Sequence, residues 1–221
     1  MKNSFIKSPR LENEEVLLYA PGSREKEEVL KTYDDLYNTK FDIKLKIDGR
    51  EIETKEKNEM FPPHDYKHNL GTYSVANKDH VDLAIKSALS AKNKWNDLGF
   101  SERASIFLKA AELICGPYRK IINASTMIAQ SKTIHQAEID AACEFADFLR
   151  FNVKFAEEIY NEQPLSSDGT WNKLSYRPLE GFIYAISPFN FTAIGGNLCA
   201  APALMGNTIV WKPSDYQIFS A

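Results

Sequence analysis

The sequence predicts an α/β protein in which a layer of helices and one β-hairpin precede the first strands of a parallel sheet. Three observations predict this class. Apolar residues recur at helical spacing from about residue 81 to residue 160. Two short apolar runs, 182–186 and 208–211, flank a segment rich in small residues, which is typical of a β-α-β unit. Alternating apolar and polar residues surround Asp48-Gly49, which indicates a hairpin with a tight primed turn.

Composition and charge exclude several classes of partner. The chain has 221 residues, of which 43% are hydrophobic and 26% charged, so it can bury a substantial core. Its formal net charge is −3 and its lysines are interleaved with acids, so we expect no nucleic-acid partner. No apolar run reaches the roughly 18 residues of a membrane span, so we expect no membrane partner.

The first 170 residues are predicted to contain an N-terminal segment (1–40), a hairpin (41–60) and a helical part (61–170). The helical part opens with a loop at 61–65, where two prolines remove backbone donors. Four helices then follow: one from residue 81, one after Ser101 as N-cap and ending at Gly116-Pro117, one over 118–129, and a long one over 134–160 whose Thr133 and Gln136 are spaced as a capping box.

Residues 171–221 are predicted to form the first, incomplete part of the sheet. Alternation at Leu174 and Tyr176 predicts a strand, and the two apolar runs predict strands buried on both faces. The helix between them, over 194–205, carries small residues that allow close helix–sheet contact: Gly195, Gly196, Ala200, Ala201 and Ala203. We expect the three tryptophans to be core or layer contacts: Trp95, Trp171 and Trp211.

The cysteines and the first residues bear on the compartment. The cysteines are odd in number and lie in apolar helical patterns, which predicts buried thiols in a reducing compartment for Cys115, Cys143 and Cys199. The N-terminus carries three basic residues, Lys2, Lys7 and Arg10, but no apolar stretch follows them. A secretory signal peptide is therefore not expected. Acids follow soon after the basic residues, so a mitochondrial transit peptide is only weakly indicated.

One short segment contains three potential metal ligands but is better explained as a loop. His64, Asp65 and His68 follow two prolines, and no further ligand pattern accompanies them. The spacing therefore favours an exposed loop, and we expect no metal site.

Polar residues follow both predicted strands. Because the carboxyl ends of parallel strands bind ligands, we expect the clusters 187–191 and 212–215 to be neighbours. The amide of Asn190 could donate to a developing oxyanion, and Lys212 with Asp215 could bind ribose hydroxyls. Two plainer interpretations remain open: Asn190 could cap the following helix, and the charged residues could be a solvated pair. No G-x-G-x-x-G is present, so a dinucleotide site would be of an unusual kind.

The strings SPFNF and WKPSD, two dozen residues apart, resemble a motif pair of the aldehyde dehydrogenase superfamily. The longer string AISPFNFTAIGGNLCAAPALMGNTIVWKPSD is similar to the 1-pyrroline-5-carboxylate dehydrogenases in particular. So are FLKAAELICGPYR and QAEIDAACEFADFLRFN, and the resemblance runs from the hairpin to Ala221. It implies an aldehyde dehydrogenase-like fold in which the parallel sheet binds a dinucleotide.

The resemblance assigns roles to individual positions. Asn190 matches the asparagine whose amide stabilises the tetrahedral oxyanion. Phe191 matches a wall of the aldehyde site, and Glu144, on the long helix, matches a carboxylate near the substrate entrance.

Three further positions match the family's cofactor site. Ser187 matches a position that lines the NAD site, and Lys212 matches the lysine that binds the adenosine ribose. Asp215 beside the ribose would repel a 2′-phosphate, which favours NAD over NADP.

The resemblance implies NAD-dependent oxidation of L-glutamate γ-semialdehyde to L-glutamate in proline degradation, by a homo-oligomer, a dimer. It implies the mitochondrial matrix in a eukaryote and the cytoplasm otherwise. The family's nucleophilic cysteine and general base match positions beyond Ala221, and Cys199 lies in an alanine-rich helix where a reactive thiolate is not expected. We therefore expect no turnover from this chain alone. The alternative is a truncated, non-catalytic nucleotide-binding or subunit-interaction module.

Overall fold

The computed structural model describes residues 11–221, which form seven α-helices and three small sheets. The basic positions considered above, Lys2, Lys7 and Arg10, lie outside these residues. The helices are α1 (Arg24–Tyr37), α2 (Lys78–Asp97), α3 (Phe100–Cys115), α4 (Arg119–Gln130), α5 (Ile134–Ala137), α6 (Phe145–Asn161) and α7 (Thr192–Leu204). The strands are β1 (Phe41–Ile43), β2 (Leu45–Ile47), β3 (Arg50–Ile52), β4 (Lys57–Met60), β5 (Gly71–Ser74), β6 (Ile183–Ile186) and β7 (Ile209–Lys212). Within residues 11–221, no helix combines the length and apolarity that membrane crossing requires.

The hairpin forms around the predicted turn. Strands β2 and β3 are antiparallel, and Asp48 and Gly49 between them have φ of 55° and 69°, the left-handed values of a primed turn. The hairpin is shorter than residues 41–60, because β1 and β4 pair with β5 instead. In that sheet Phe41 of β1 lies opposite Gly71 of β5.

Helix α1 was not predicted. Its side chains are mostly polar, and Val29 is the one residue of α1 that is fully buried. The apolar side chains of Val29, Tyr33, Leu36 and Tyr37 nevertheless recur at helical spacing and face the core. Its N-cap is Ser23, whose hydroxyl accepts from the Lys26 amide. The helix packs against α4, where Val29 clusters with Tyr19 and Ala124.

Helices α2 to α4 lie close to the predicted ranges, with one correction at a cap. Helix α3 begins at Phe100 with Gly99 as N-cap, and the Glu102 carboxylate accepts from the Gly99 amide. Ser101 therefore lies inside the first turn and is not the N-cap. The helix ends before Gly116, as predicted.

The long fourth helix contains a π-helical segment, Glu138–Glu144, between α5 and α6. Its start is as predicted, since Thr133 and Gln136 form the capping box. Wider helical turns change which residues face inward, and the segment buries the carboxylates of both Glu138 and Asp140. The π segment had no signal in the apolar spacing.

The N-terminal arm, residues 11–20, is held to the helical layer by a buried polar network around Glu138. The Arg119 guanidinium donates to Glu138, and also to the Glu14 carboxylate at 2.8 Å. The Leu17 amide and the Tyr19 hydroxyl donate to the same Glu138 carboxylate at 2.9 and 2.7 Å. The Asn123 amide donates to this fully buried carboxylate as well, at 2.7 Å, so several donors offset the cost of its burial.

The predicted β-α-β unit is present. Strands β6 and β7 are parallel and in register from Ile183 opposite Ile209 to Ile186 opposite Lys212, with α7 as the crossover. The expectation that these strands are buried on both faces is wrong for this chain, because Tyr184 and Ile186 are 56% and 60% exposed.

Two further expectations about this region are corrected. Residues 171–180 form no strand, since no neighbouring strand in the described residues pairs with them. Trp171 is 83% exposed and is not a core residue, whereas the indole of Trp95 is half-buried and donates to the Ala203 carbonyl. The small residues of α7 also serve helix contacts: Gly196 lies against the ring of Phe145 in α6.

Candidate functional site

The two predicted polar clusters meet at one edge of the β6–β7 sheet. Because Ile186 lies opposite Lys212, the asparagine loop, residues 187–191, and residues 212–215 leave the sheet at the same end. The Trp211 indole also donates to the Ser187 hydroxyl at 3.0 Å, which links the last residues of both strands. The prediction that residues 187–191 and 212–215 are neighbours is therefore confirmed.

Asn190 is exposed and does not cap α7. The N-cap of α7 is Phe191, and its side chain makes no capping hydrogen bond. The first free amides of the helix, those of Thr192 and Ala193, donate instead to the Asp140 carboxylate at 3.0 and 2.9 Å. The plainer interpretation of Asn190 as a cap is thus wrong, and its amide lies at the protein surface at the sheet edge.

Lys212 and Asp215 form an ion pair at 3.4 Å, with side chains 52% and 60% exposed. Exposed pairs of this kind contribute little to stability, so the fold does not depend on them. Both side chains are accessible to a ligand at the strand end.

Ser187 has a different environment from the one predicted for a cofactor contact. It is only 3% exposed, and its hydroxyl donates to the Gln217 side-chain oxygen at 3.4 Å while accepting from the Trp211 indole. Its side chain therefore lies inside the protein, where it ties the two strand ends together.

Gln217 supports the asparagine loop and was not singled out from the sequence. It is 1% exposed, and its amide donates to the Phe191 carbonyl at 2.8 Å while its oxygen accepts from Ser187. It therefore connects both ends of the asparagine loop to the segment that follows β7. No local pattern could reveal this role, because the contact spans 26 residues of sequence.

Phe191 and Glu144 lie beside Lys132, a partly buried lysine that the sequence did not single out. The Lys132 ammonium is 4.1 Å from the centre of the Phe191 ring and donates to Asp140 at 2.7 Å. Burial raises the pKa of the Glu144 carboxyl, repulsion from Asp140 raises it further, and attraction to Lys132 opposes both. The predicted substrate residues thus surround one cluster of charges.

The thiols in this region are poor nucleophiles. Burial raises the pKa of Cys199 to about 11, so the thiol is protonated at neutral pH. Burial, with nearby carboxylates, raises the pKa of Cys115 and Cys143 to about 12. All three cysteines are free, but the expectation of buried thiols is confirmed only for Cys143, because Cys115 and Cys199 are partly exposed.

The loop at His64 to His68 is more ordered than predicted. The His64 ring bridges the Tyr33 and Ser131 hydroxyls at 3.2 and 2.8 Å. The His68 ring stacks on Tyr37 with ring centres 3.8 Å apart. These contacts connect the loop to α1 and to the end of α4, and no group of three or more potential metal ligands occurs in residues 11–221.

Comparison with known proteins identifies the family. The model of the aldehyde dehydrogenase family matches residues 51–221. The chain belongs to the aldehyde dehydrogenase family. The resemblance noted from SPFNF and WKPSD is thereby confirmed, and so is the aldehyde dehydrogenase-like α/β fold.

Among aldehyde dehydrogenases, this chain is similar to proteins named for one substrate. The probable delta-1-pyrroline-5-carboxylate dehydrogenase of Schizosaccharomyces pombe is 48% identical over 98% of this chain and 40% of its own length. The Rattus norvegicus delta-1-pyrroline-5-carboxylate dehydrogenase, named as mitochondrial, is 45% identical over 94% of this chain and 37% of its own length. A crystal structure of the Mycobacterium tuberculosis enzyme bound with NAD superposes with a TM-score of 0.97, at 46% identity, over 99% of this chain and 41% of that chain.

The chain matches only part of each of these relatives. It spans about 40% of the length of the curated relatives it matches.

Proposed function

We propose that this chain supplies the oxyanion donor and part of the cofactor cleft of an NAD-dependent 1-pyrroline-5-carboxylate dehydrogenase. The complete enzyme oxidises L-glutamate γ-semialdehyde to L-glutamate in proline degradation. The observation that carries the proposal is the parallel β6–β7 pairing, which sets the asparagine loop beside Lys212 and Asp215.

The residues present fit a dinucleotide of the unusual kind that the sequence predicts. An exposed ammonium and an exposed carboxylate at a strand end can bind the two hydroxyls of a ribose, and Asp215 disfavours a 2′-phosphate. The N-terminus of α7, the usual place for a pyrophosphate, is already closed by Asp140. The absence of the glycine motif is consistent with this, because that motif serves to bring a phosphate close to a helix N-terminus. When bound, NAD supplies the hydride acceptor for the oxidation.

The substrate side is served by three residues. The Asn190 amide donates to the oxygen on which negative charge develops during attack on the aldehyde. Phe191 forms an apolar wall, and Lys132 packs against its ring. Glu144, whose pKa is raised mainly by burial, lies in the same charge cluster and approaches the polar end of the substrate. We also propose the mitochondrial matrix in a eukaryote, the cytoplasm otherwise, and a homodimer for the complete enzyme.

Titration of NAD into the 221-residue protein tests the cofactor cleft. We expect binding in the micromolar range, and we expect Lys212→Met to weaken it about tenfold or more, since loss of a hydrogen bond from the ammonium to a ribose hydroxyl that contributes about 1.4 kcal/mol changes Kd tenfold. The matched control is Lys109→Met, because Lys109 and Glu112 form a similarly exposed (i, i+3) pair on α3, away from the cleft. Equal affinities for the two variants would contradict the proposal.

Turnover distinguishes the enzyme from the non-catalytic module. NADH formation from the semialdehyde is expected from the full-length protein and not from the 221-residue protein. An in-frame continuation after codon 221 that carries a cysteine motif supports the enzyme, whereas a stop codon supports the module. Formation of NADH by the pure 221-residue protein would contradict the assignment of the nucleophile to a later segment.

A further inference from the structure

A buried carboxylate from the π segment anchors the end of the asparagine loop. Asp140 is 2% exposed, and its two oxygens accept from consecutive backbone amides, those of Thr192 and Ala193. A carboxylate is well placed there, because the free amides of a helix N-terminus carry partial positive charge. Asp140 thus fixes two peptide planes that directly follow the loop.

Lys132, which follows the end of α4, provides the counter-charge of Asp140. Its ammonium donates to Asp140 at 2.7 Å, and its side chain is 15% exposed, so the Asp140 charge is balanced inside the protein. The same ammonium lies over the ring of Phe191, which is the last residue of the loop. Thr192 is held further, because its hydroxyl bonds to Thr126 at 2.8 Å and to the Gln130 amide at 2.7 Å.

These contacts place a rigid anchor two residues after Asn190. An oxyanion donor must be held within about 0.5 Å of its productive position, and an exposed amide on a loop gains that order only from what fixes the loop. The loop has such supports at both ends, with Gln217 bonded to Ser187 and Phe191, and Asp140 bonded to the residues beyond.

We propose that Asp140 is a positioning residue for the oxyanion site, acting through the α7 N-terminus and with Lys132 as its counter-charge. It touches neither substrate nor cofactor in this arrangement; it sets the place and direction of the Asn190 amide. This inference rests on the function proposed above for Asn190.

Amide hydrogen exchange in the 221-residue protein tests the anchor without any turnover. In Asp140→Asn we expect the Thr192 and Ala193 amides to exchange about 10- to 100-fold faster, because the substituted amide cannot accept from both. The matched control is Asp147→Asn, since Asp147 also accepts from a backbone amide, that of Glu14, at 2.9 Å, and this bond holds the N-terminal arm and not the loop. Faster exchange at residues 192 and 193 in both variants, or in neither, would overturn the anchor.

A measurement on the unaltered chain covers the case in which Asp140→Asn does not fold. Scalar coupling across the hydrogen bond, between the Thr192 amide nitrogen and the Asp140 carboxyl carbon, is expected in the labelled 221-residue protein. Its absence would overturn the anchor, whatever the variant does.

Kinetics of the full-length protein test the positioning role. We expect Asp140→Asn to lower kcat about tenfold or more with KM for NAD unchanged, because removal of an oxyanion donor itself costs roughly 100-fold or more. Asp147→Asn is expected to keep kcat. A wild-type kcat in Asp140→Asn would overturn positioning while leaving the proposed function intact, whereas an inactive wild-type full-length protein would contradict the proposed function and leave the exchange result standing.

Discussion

Replacing Arg119 with alanine is expected to destabilise the protein by about 3–5 kcal/mol, because it leaves the buried Glu138 carboxylate without its counter-charge. Glu138 is 0% exposed, and the Arg119 guanidinium also bonds to Glu14 and to the Glu15 carbonyl. The loss therefore affects the whole attachment of the N-terminal arm. Urea unfolding followed by tryptophan fluorescence gives the free energy of unfolding.

The control for this change is Arg24→Ala. Arg24 and Glu28 form an ion pair at 2.7 Å on the surface of α1, with the Arg24 side chain 89% exposed. Removal of that pair is expected to leave the midpoint unchanged. If Arg119→Ala loses no more stability than Arg24→Ala, the network around Glu138 does not stabilise the fold as we expect.

The stability lost in Arg119→Ala should become smaller at low pH. Burial raises the pKa of Glu138, but hydrogen bonds from Arg119, Leu17 and Tyr19 outweigh it, so the folded-state pKa lies below the ordinary 4.5. A lowered pKa contributes stability above pH 4.5 that is lost as the pH falls through the folded value. In Arg119→Ala the carboxylate can take up a proton, so the difference from wild type should shrink below about pH 4.5.

Gly71→Ala is the second change with a large expected effect, a loss of about 3 kcal/mol or more. Gly71 has φ of 120°, and an added Cβ would lie 1.9 Å from the Phe41 carbonyl oxygen and 2.6 Å from the Phe41 nitrogen. Backbone strain of this kind costs about 1–3 kcal/mol, and the clash with a paired strand adds to it. The β1–β5 pairing should open and release Leu70, which is 1% exposed. Urea unfolding and the amide exchange of β5 measure both effects.

Gly169→Ala separates the clash from the strain. Gly169 also has a left-handed φ, of 73°, but nothing lies within 4 Å of an added Cβ. Its substitution should cost only the roughly 1–2 kcal/mol of the backbone conformation. Comparable losses for the two glycine variants would show that the close approach of β1 to β5 does not matter.

The parts of the site that follow from local patterns could be predicted from the sequence. Apolar runs and a small-residue helix encode β6, α7 and β7, and parallel pairing then sets residues 187–191 beside residues 212–215. The hairpin turn followed from Asp48-Gly49 for the same reason, because the dipeptide itself favours left-handed φ.

The supports of the site could not be predicted in this way. Asp140 and Gln217 meet the asparagine loop across about 50 and 26 residues of sequence, and such contacts exist only once the elements are packed. The π segment that turns Asp140 inward interrupts the 3.6-residue period on which the helix prediction rests. Helix α1, by contrast, could have been predicted, because Val29, Tyr33, Leu36 and Tyr37 recur at helical spacing after the N-cap Ser23.

The arm and α1 precede residue 51, where the family match starts, yet the folded core passes through them. A shorter version begun at that boundary would strip Glu138 of the Leu17 and Tyr19 donors and would uncover Ala124, which is 0% exposed in the whole chain. Engineers who trim this protein to its recognisable family portion should therefore expect an insoluble product, and should keep the arm and α1.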